Sequence, residues 1–308
     1  MELGARGDLW TAGSNSELAF SPSGTVRYRF GPALEVHGAL GLAHQAHGSP
    51  LPLPALGDLA FDAGLESALQ AELGLTLQLP FSLELEAAYF RHLYRDVVYL
   101  ELILDCEGNT DPQLAQGVGF GPRSESICRE VGLPTGDGLT HGFELYLKRD
   151  LTERVSGLVS YTLSFADAVA ADGTPFVPQA DVRHLLNAVL RFDLGAGFAL
   201  GMRMHFRTGK MAVNTLFNST TRRFEHIHAR LPSFFRADAR ASYTWGVSFG
   251  KLEVSVGVQN LTASAEATNR DCVVDVTGDL SGPEVPIICQ VDYQPAILLP
   301  NLGIRAEL

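Results

Sequence analysis

The residues best suited to covalent chemistry are four cysteines, Cys106, Cys128, Cys272 and Cys289. No two of them stand two to four residues apart, as a zinc knuckle requires, so metal ligation is disfavoured. Each pair falls within one long connecting segment. Of the three possible connectivities, Cys106 with Cys128 and Cys272 with Cys289 is the economical one, and it implies an oxidising compartment. The histidines, nine in all, include two close sets, His44 with His47 and His226 with His228. Both sets lie in or beside polar connections, where solvated histidines are the simpler reading, and no metal site is expected. Arg222 and Arg223 read first as loop charges, with an anionic ligand or lipopolysaccharide as the alternative. Acids recur at Glu66, Glu72, Glu84, Glu86 and Glu144. A general acid/base pair would need one carboxyl with a raised pKa, which a wet environment does not supply. The chain contains no G-x-S-x-G, no H-E-x-x-H and no phosphate-binding loop, and Gly117, Gly119 and Gly121 lack the strand-to-helix setting of a nucleotide site. No enzyme and no cofactor is expected.

The elements that position these residues are strands. Leu65 to Leu79 is rich in good helix formers, yet its apolar residues fall on odd positions (Leu65, Leu69, Ala71, Leu73, Leu75, Leu77, Leu79) and its polar ones on even positions. At 100° per residue those leucines would scatter around a helix; an extended chain puts them on one face. After a turn at Pro80 to Ser82 the alternation resumes through Leu83, Leu85, Ala87 and Tyr89. This predicts a long β-hairpin in which Glu84 opposes Gln78 and Glu86 opposes Thr76, a polar ladder on one face. Strands far longer than the usual five or six residues, with one uniformly apolar face, point to a transmembrane β-barrel with lipid outside and a polar lumen.

The same pattern predicts twelve strands, at about Leu3–Thr11, Leu18–Phe30, Leu34–His44, Leu65–Leu79, Leu83–His92 with a continuation through Val97–Leu104, Leu139–Lys148, Val155–Phe165, His184–Phe192, Phe198–Arg207, Ser233–Trp245, Lys251–Leu261 and Ile297–Leu308. Connections alternate between short turns (at Gly31, Pro80, Arg149 to Arg154, Asp193 to Gly197 and Gly246 to Gly250) and long loops, apart from the clipped connection Ala12 to Ser16. That order belongs to outer-membrane barrels rather than Greek-key sandwiches, and it places both termini on the short-turn, periplasmic rim. Phe30, Phe192, Phe198 and Trp245 sit beside short turns on the apolar parity, as a lower aromatic girdle would, with Tyr161 and Phe206 as upper candidates. Arg91 also falls on the lipid parity, so it must snorkel to the outer headgroups or follow a bulge.

Charge and hydropathy agree. Twenty-three basic against 35 acidic residues give a net charge of −12, which disfavours nucleic acid as a partner. No apolar run is long enough for a membrane helix, and barrel strands do not need one. The whole of 1–308 is expected to be one barrel domain. The N-terminus shows no secretory signal, so a fragment or a split gene is expected.

The later strands carry a resemblance. Gly142 to Asp150 (GFELYLKRD), Ser160 to Ser164 (SYTLS), Asp181 to Asn187 (DVRHLLN), Phe235 to Arg240 (FRADAR), Val258 to Leu261 (VQNL) and the ending Pro300 to Leu308 (PNLGIRAEL) resemble, in that order, the C-terminal barrel strands of TonB-dependent outer-membrane receptors. The resemblance implies a barrel of 22 strands with an N-terminal plug, taking up large scarce ligands such as ferric siderophores, cobalamin or glycans with energy from an inner-membrane complex. On that basis the chain is similar to the second half of such a barrel. Its expected partners are outer-membrane lipid, a separate plug-bearing N-terminal half and the inner-membrane energy-coupling complex. The rival expectation is a small passive or structural barrel without a plug.

Overall fold

The computed structural model describes residues 1–12, 15–46, 64–98, 135–150, 154–171, 173–218, 223–248, 250–274 and 287–307. Its elements are β1 (Glu2–Ala12), β2 (Asn15–Phe30), β3 (Leu34–Ala46), β4 (Leu65–Leu79), β5 (Leu83–Val98), β6 (Thr135–Arg149), β7 (Val155–Ala170), β8 (Pro175–Phe176), β9 (His184–Gly195), β10 (Phe198–Arg207), β11 (Met211–Asn218), β12 (Arg223–Arg230), β13 (Phe234–Val247), β14 (Gly250–Gln259), β15 (Glu266–Val274), β16 (Ile287–Gln294) and β17 (Leu299–Glu307). Twelve of them form one antiparallel meander, β1-β2-β3-β4-β5-β6-β7-β9-β10-β13-β14-β17, with β8 attached to the side of β7. The predicted strands and their order are all present. The β4–β5 register is also as predicted, Thr76 opposite Glu86 and Gln78 opposite Glu84.

Short turns lie at one end of the sheet. Gly31 (φ 73°) opens the β2–β3 turn, and Phe81 and Ser82 take left-handed conformations (φ 65° and 56°) between β4 and β5. β14 stops at Gln259, two residues short of the predicted Leu261, because Asn260 turns left-handed (φ 54°) and ends the ladder. In β5 the register shifts between Tyr94 and Val97, around Asp96 (φ 56°). The predicted continuation beyond Val98 lies outside the described residues.

The two faces of the sheet differ as the alternation requires. Leu3, Leu18, Phe20, Tyr28, Leu73, Phe143, Leu302 and Ile304 are all more than half exposed. Among the described residues the buried apolar side chains are mainly alanines, with Phe90 the largest. A protein dissolved in water buries its large apolar groups and leaves small exposed patches; this sheet does the reverse, as a lipid-facing wall does. Two glycines on the opposite face make room for bulky inward neighbours. A Cβ on Gly74 would overlap the His37 ring, and one on Gly142 would come within 2.9 Å of Phe90 Cζ.

Two connections predicted as loops are themselves folded. β11 pairs with β12 and β15 with β16, each as a separate two-stranded sheet. They meet through Ala212, Leu231 and Ala267, with Val291 packed alongside. The period-2 signal in these segments is short and polar, so propensity alone did not separate them from loop.

Candidate functional site

The inner wall is lined by paired polar groups. His37 Nε2 stands 3.3 Å from Glu72 Oε1 and 3.8 Å from Glu86 Oε1. Gln78 donates to Glu84 at 2.6 Å, Gln45 to Glu66, and Thr162 to Glu144 at 3.5 Å. Farther round, Arg29 bonds Glu35 at 2.6 Å and Arg240 bonds Glu253 at 2.6 Å. The five acids picked out in the sequence therefore all face this wall and are shared with neutral or basic neighbours. A concavity of about 590 Å³ lies at the short-turn end between Arg29, Glu35, Thr76, Gln78, Glu84 and Glu86. Among the described residues no group of three or more His, Cys, Asp or Glu side chains is placed to hold a metal ion.

The long-loop end is held by denser polar knots, and these the sequence reading had not singled out. Asp181, 2 % exposed, accepts from Arg230 Nη2 and from the Ala166 amide at 3.2 Å, and forms an ion pair with Arg183 Nε at 3.5 Å. Arg230 Nη1 also donates to the carbonyls of Asp181 (2.9 Å) and Gly209 (2.8 Å). One guanidinium thus ties the β11–β12 hairpin to the connection before β9. A second knot centres on buried Asn260. Its amide N–H donates to Asp238 Oδ1 at 2.7 Å, and its Nδ2 donates to the carbonyls of Ser264 (3.1 Å) and Ile297 (3.2 Å). It joins the end of β14 to the approach of β17. Arg207 pairs with Glu266, linking β10 to the β15–β16 hairpin. Asp181, Asp238 and Asn260 all lie inside the segments that carry the family resemblance, and that was the signal available for finding them.

Cys272 and Cys289 are opposite one another in the β15–β16 ladder and are disulfide-bonded. Cys106 and Cys128 lie outside the described residues, as do His47 and Arg222. His44 bonds Ser21 Oγ at 3.2 Å. His226 and His228 lie on β12 opposite Thr215 and Val213, and Arg223 lies opposite Asn218.

The disulfide closes a segment of 17 residues, and a loop of about that length is stabilised by about 3 kcal/mol in the chain-entropy model. Non-reducing peptide mapping is expected to recover a Cys272–Cys289 peptide. Reduction is expected to speed amide exchange in β15 and β16 while leaving β1 to β7 protected. In the same hairpin, partial desolvation and a hydrogen bond shared with Asp271 raise the Asp292 carboxyl above its usual range. A raised acid binds its proton more tightly in the folded hairpin, so its contribution is present at low pH and lost as pH rises through the folded value. β15–β16 protection, corrected for intrinsic exchange, should fall over that acid range, and Asp292→Asn should remove the dependence.

The matches to known proteins follow the fold. The family described as "TonB dependent receptor-like, beta-barrel" matches residues 2–261. The ferripyoverdine receptor of the outer membrane of Pseudomonas aeruginosa is 17% identical over 87% of this chain and 33% of its own, with a TM-score of 0.58. The ferric citrate transporter FecA is 15% identical over 94% and 38%, with a TM-score of 0.56. The FrpB iron transporter of Neisseria meningitidis is 14% identical over 94% and 39%, with a TM-score of 0.55. The chain spans between a third and two fifths of the length of these receptors. No curated protein sequence matches it. The family is one of receptors, in agreement with a sequence that carries no enzyme signature, and its barrels stand in the outer membrane. An antiparallel meander with an apolar outer face, a polar inner face and a family match over most of its length has one assignment: this chain belongs to the β-barrel family of the TonB-dependent receptors.

Proposed function

We propose that this chain forms part of the barrel wall of an energy-coupled outer-membrane receptor for a large, scarce ligand of the ferric-chelate class, with its long connections outside and both termini on the periplasmic rim. The observation that carries this reading is the division of labour along the strands. One end of the sheet has tight turns, while the other carries two folded hairpins, β11–β12 and β15–β16, anchored by Asp181–Arg230 and Arg207–Glu266. A passive pore needs no built structure at its mouth; a receptor does, because affinity depends on preorganised groups. The ligand class is supported by the three similar proteins above, a ferripyoverdine receptor, a ferric citrate transporter and an iron transporter. The remaining partners are a plug-bearing N-terminal half and the inner-membrane coupling complex.

Uptake of radiolabelled ferric chelates by cells with an intact coupler is the test. Accumulation is expected when the chain is supplied with a plug-bearing half and is expected to vanish when the coupler is deleted. Coupler-dependent accumulation by the chain alone would overturn the shared-receptor reading. Coupler-independent leakage of small solutes would support the passive barrel instead.

A further inference from the structure

One charged residue stands where a lipid-facing wall should have none. Arg91 lies eight residues above Leu83 on β5, which at about 3.3 Å per residue and a tilt of about 40° is about 20 Å above the short turn, near the top of a hydrocarbon band of about 25 Å. The ladder is regular there, Arg91 lying opposite Ala71 on one side and His141 on the other. The register shift comes only after Tyr94, so no bulge turns Arg91 inward. It is exposed and, among the described residues, has no hydrogen-bonding or ionic partner. Below it on the same face are Leu73 and the Tyr89–Phe143 ring pair, 5.1 Å between centroids; above it are Leu69, Leu93 and Leu139. The bases continue sideways at the same height. His141 stacks on Phe165 at 5.6 Å, its Nδ1 buried without a hydrogen-bond partner; the Arg183 guanidinium, 5.5 Å from the centroid of that same ring, is already paired with Asp181 at 3.5 Å and is not part of the site. The acids of this face, Asp137 and Asp167, lie above the row, opposite Val169 and Leu139, and Arg95 lies above it too.

A guanidinium ringed by apolar side chains at the edge of hydrocarbon is costly without an anion, and His141 on the next strand is a second donor within reach of the same group. We propose that Arg91 and His141 form a binding site for the phosphate of an outer-leaflet lipid, whose acyl chains lie over Leu73, Tyr89 and Phe143. The site rests on the orientation given under Proposed function, with the long connections outside.

The test is native mass spectrometry of the folded full chain in mild detergent, titrated with bisphosphorylated lipid A, its dephosphorylated form and zwitterionic phosphatidylethanolamine. The unheated gel mobility of a folded barrel is checked for every variant. Retention is expected to favour the phosphorylated lipid. Arg91→Gln should lower it about tenfold, the loss of one charge-assisted contact, with a smaller drop for His141→Gln and partial retention for Arg91→Lys. Arg305→Gln, at the short-turn rim, should change nothing. Equal retention of the phosphorylated lipid by wild type and a folded Arg91→Gln would overturn the site, as would equal retention of all three lipids by wild type. If the orientation alone is wrong, surface labelling will place the β11–β12 hairpin in the periplasm; if the site alone is wrong, labelling will place it outside and the lipid preference will be absent.

Discussion

Arg230→Ala is expected to release the β11–β12 hairpin from the barrel and abolish ligand binding while leaving the meander intact. Asp181 is 2 % exposed and depends on Arg230 for its strongest contact. Removing one partner of a buried ion pair leaves an uncompensated charge, a loss of about 3–5 kcal/mol. The lower end of that range applies, because Arg183 Nε at 3.5 Å and the Ala166 amide at 3.2 Å remain. The carbonyls of Asp181 and Gly209 lose their donor at the same time. Arg230→Lys should recover only part of the loss, since one ammonium cannot reproduce a planar fork that reaches a carboxylate and two carbonyls. Hydrogen exchange decides the matter: residues 211–230 should become fast in Arg230→Ala while β4 to β7 stay slow. Unchanged protection of the hairpin would show that the Ala212, Leu231 and Ala267 contact, and not the ion pair, holds it.

The parts of the molecule that could be read from the sequence are those governed by period. A strand between lipid and lumen must alternate at every position, so Leu65 to Leu79 declared its conformation, its face and even its partner residues. The polar knots obey no period. Asp181 and Asn260 are single residues whose partners lie 49 and up to 37 positions away, and nothing local distinguishes a buried aspartate from a loop one. What the family-like segments do preserve is where such knots fall, since DVRHLLN contains Asp181, FRADAR contains Asp238 and VQNL contains Asn260. Those segments sit where strands leave the sheet for the long connections, the places at which backbone direction must be fixed by side chains because the ladder no longer fixes it. The β11–β12 and β15–β16 hairpins escaped for a related reason: they are short, and their stability comes from mutual packing, a disulfide and anchoring pairs rather than from a face of repeated leucines.

Leu73→Arg separates a membrane wall from a water-soluble sheet more sharply than any other single change. Leu73 is 64% exposed and lies six residues from Leu79, which at about 3.3 Å per residue and a tilt of about 40° is about 15 Å above the short turn, close to the bilayer midplane. In lipid the substitution places a guanidinium in hydrocarbon and should cost about 2–4 kcal/mol in reversible refolding into bilayers. In water the same site would be an ordinary exposed position, where a leucine-to-arginine change costs within about 0.5 kcal/mol. Thr76, three residues on and of opposite parity, is the internal control. It faces Glu35 and Glu86 across both ladders, so Thr76→Arg brings a cation to a wall of acids and should leave stability within about 0.5 kcal/mol of wild type, or raise it. The two variants add the same charge to the same strand, three residues apart and on opposite faces. Chemical denaturation of each in liposomes should give a midpoint lowered well beyond error for Leu73→Arg and almost unmoved for Thr76→Arg. Equal midpoints would mean that the apolar face does not meet lipid.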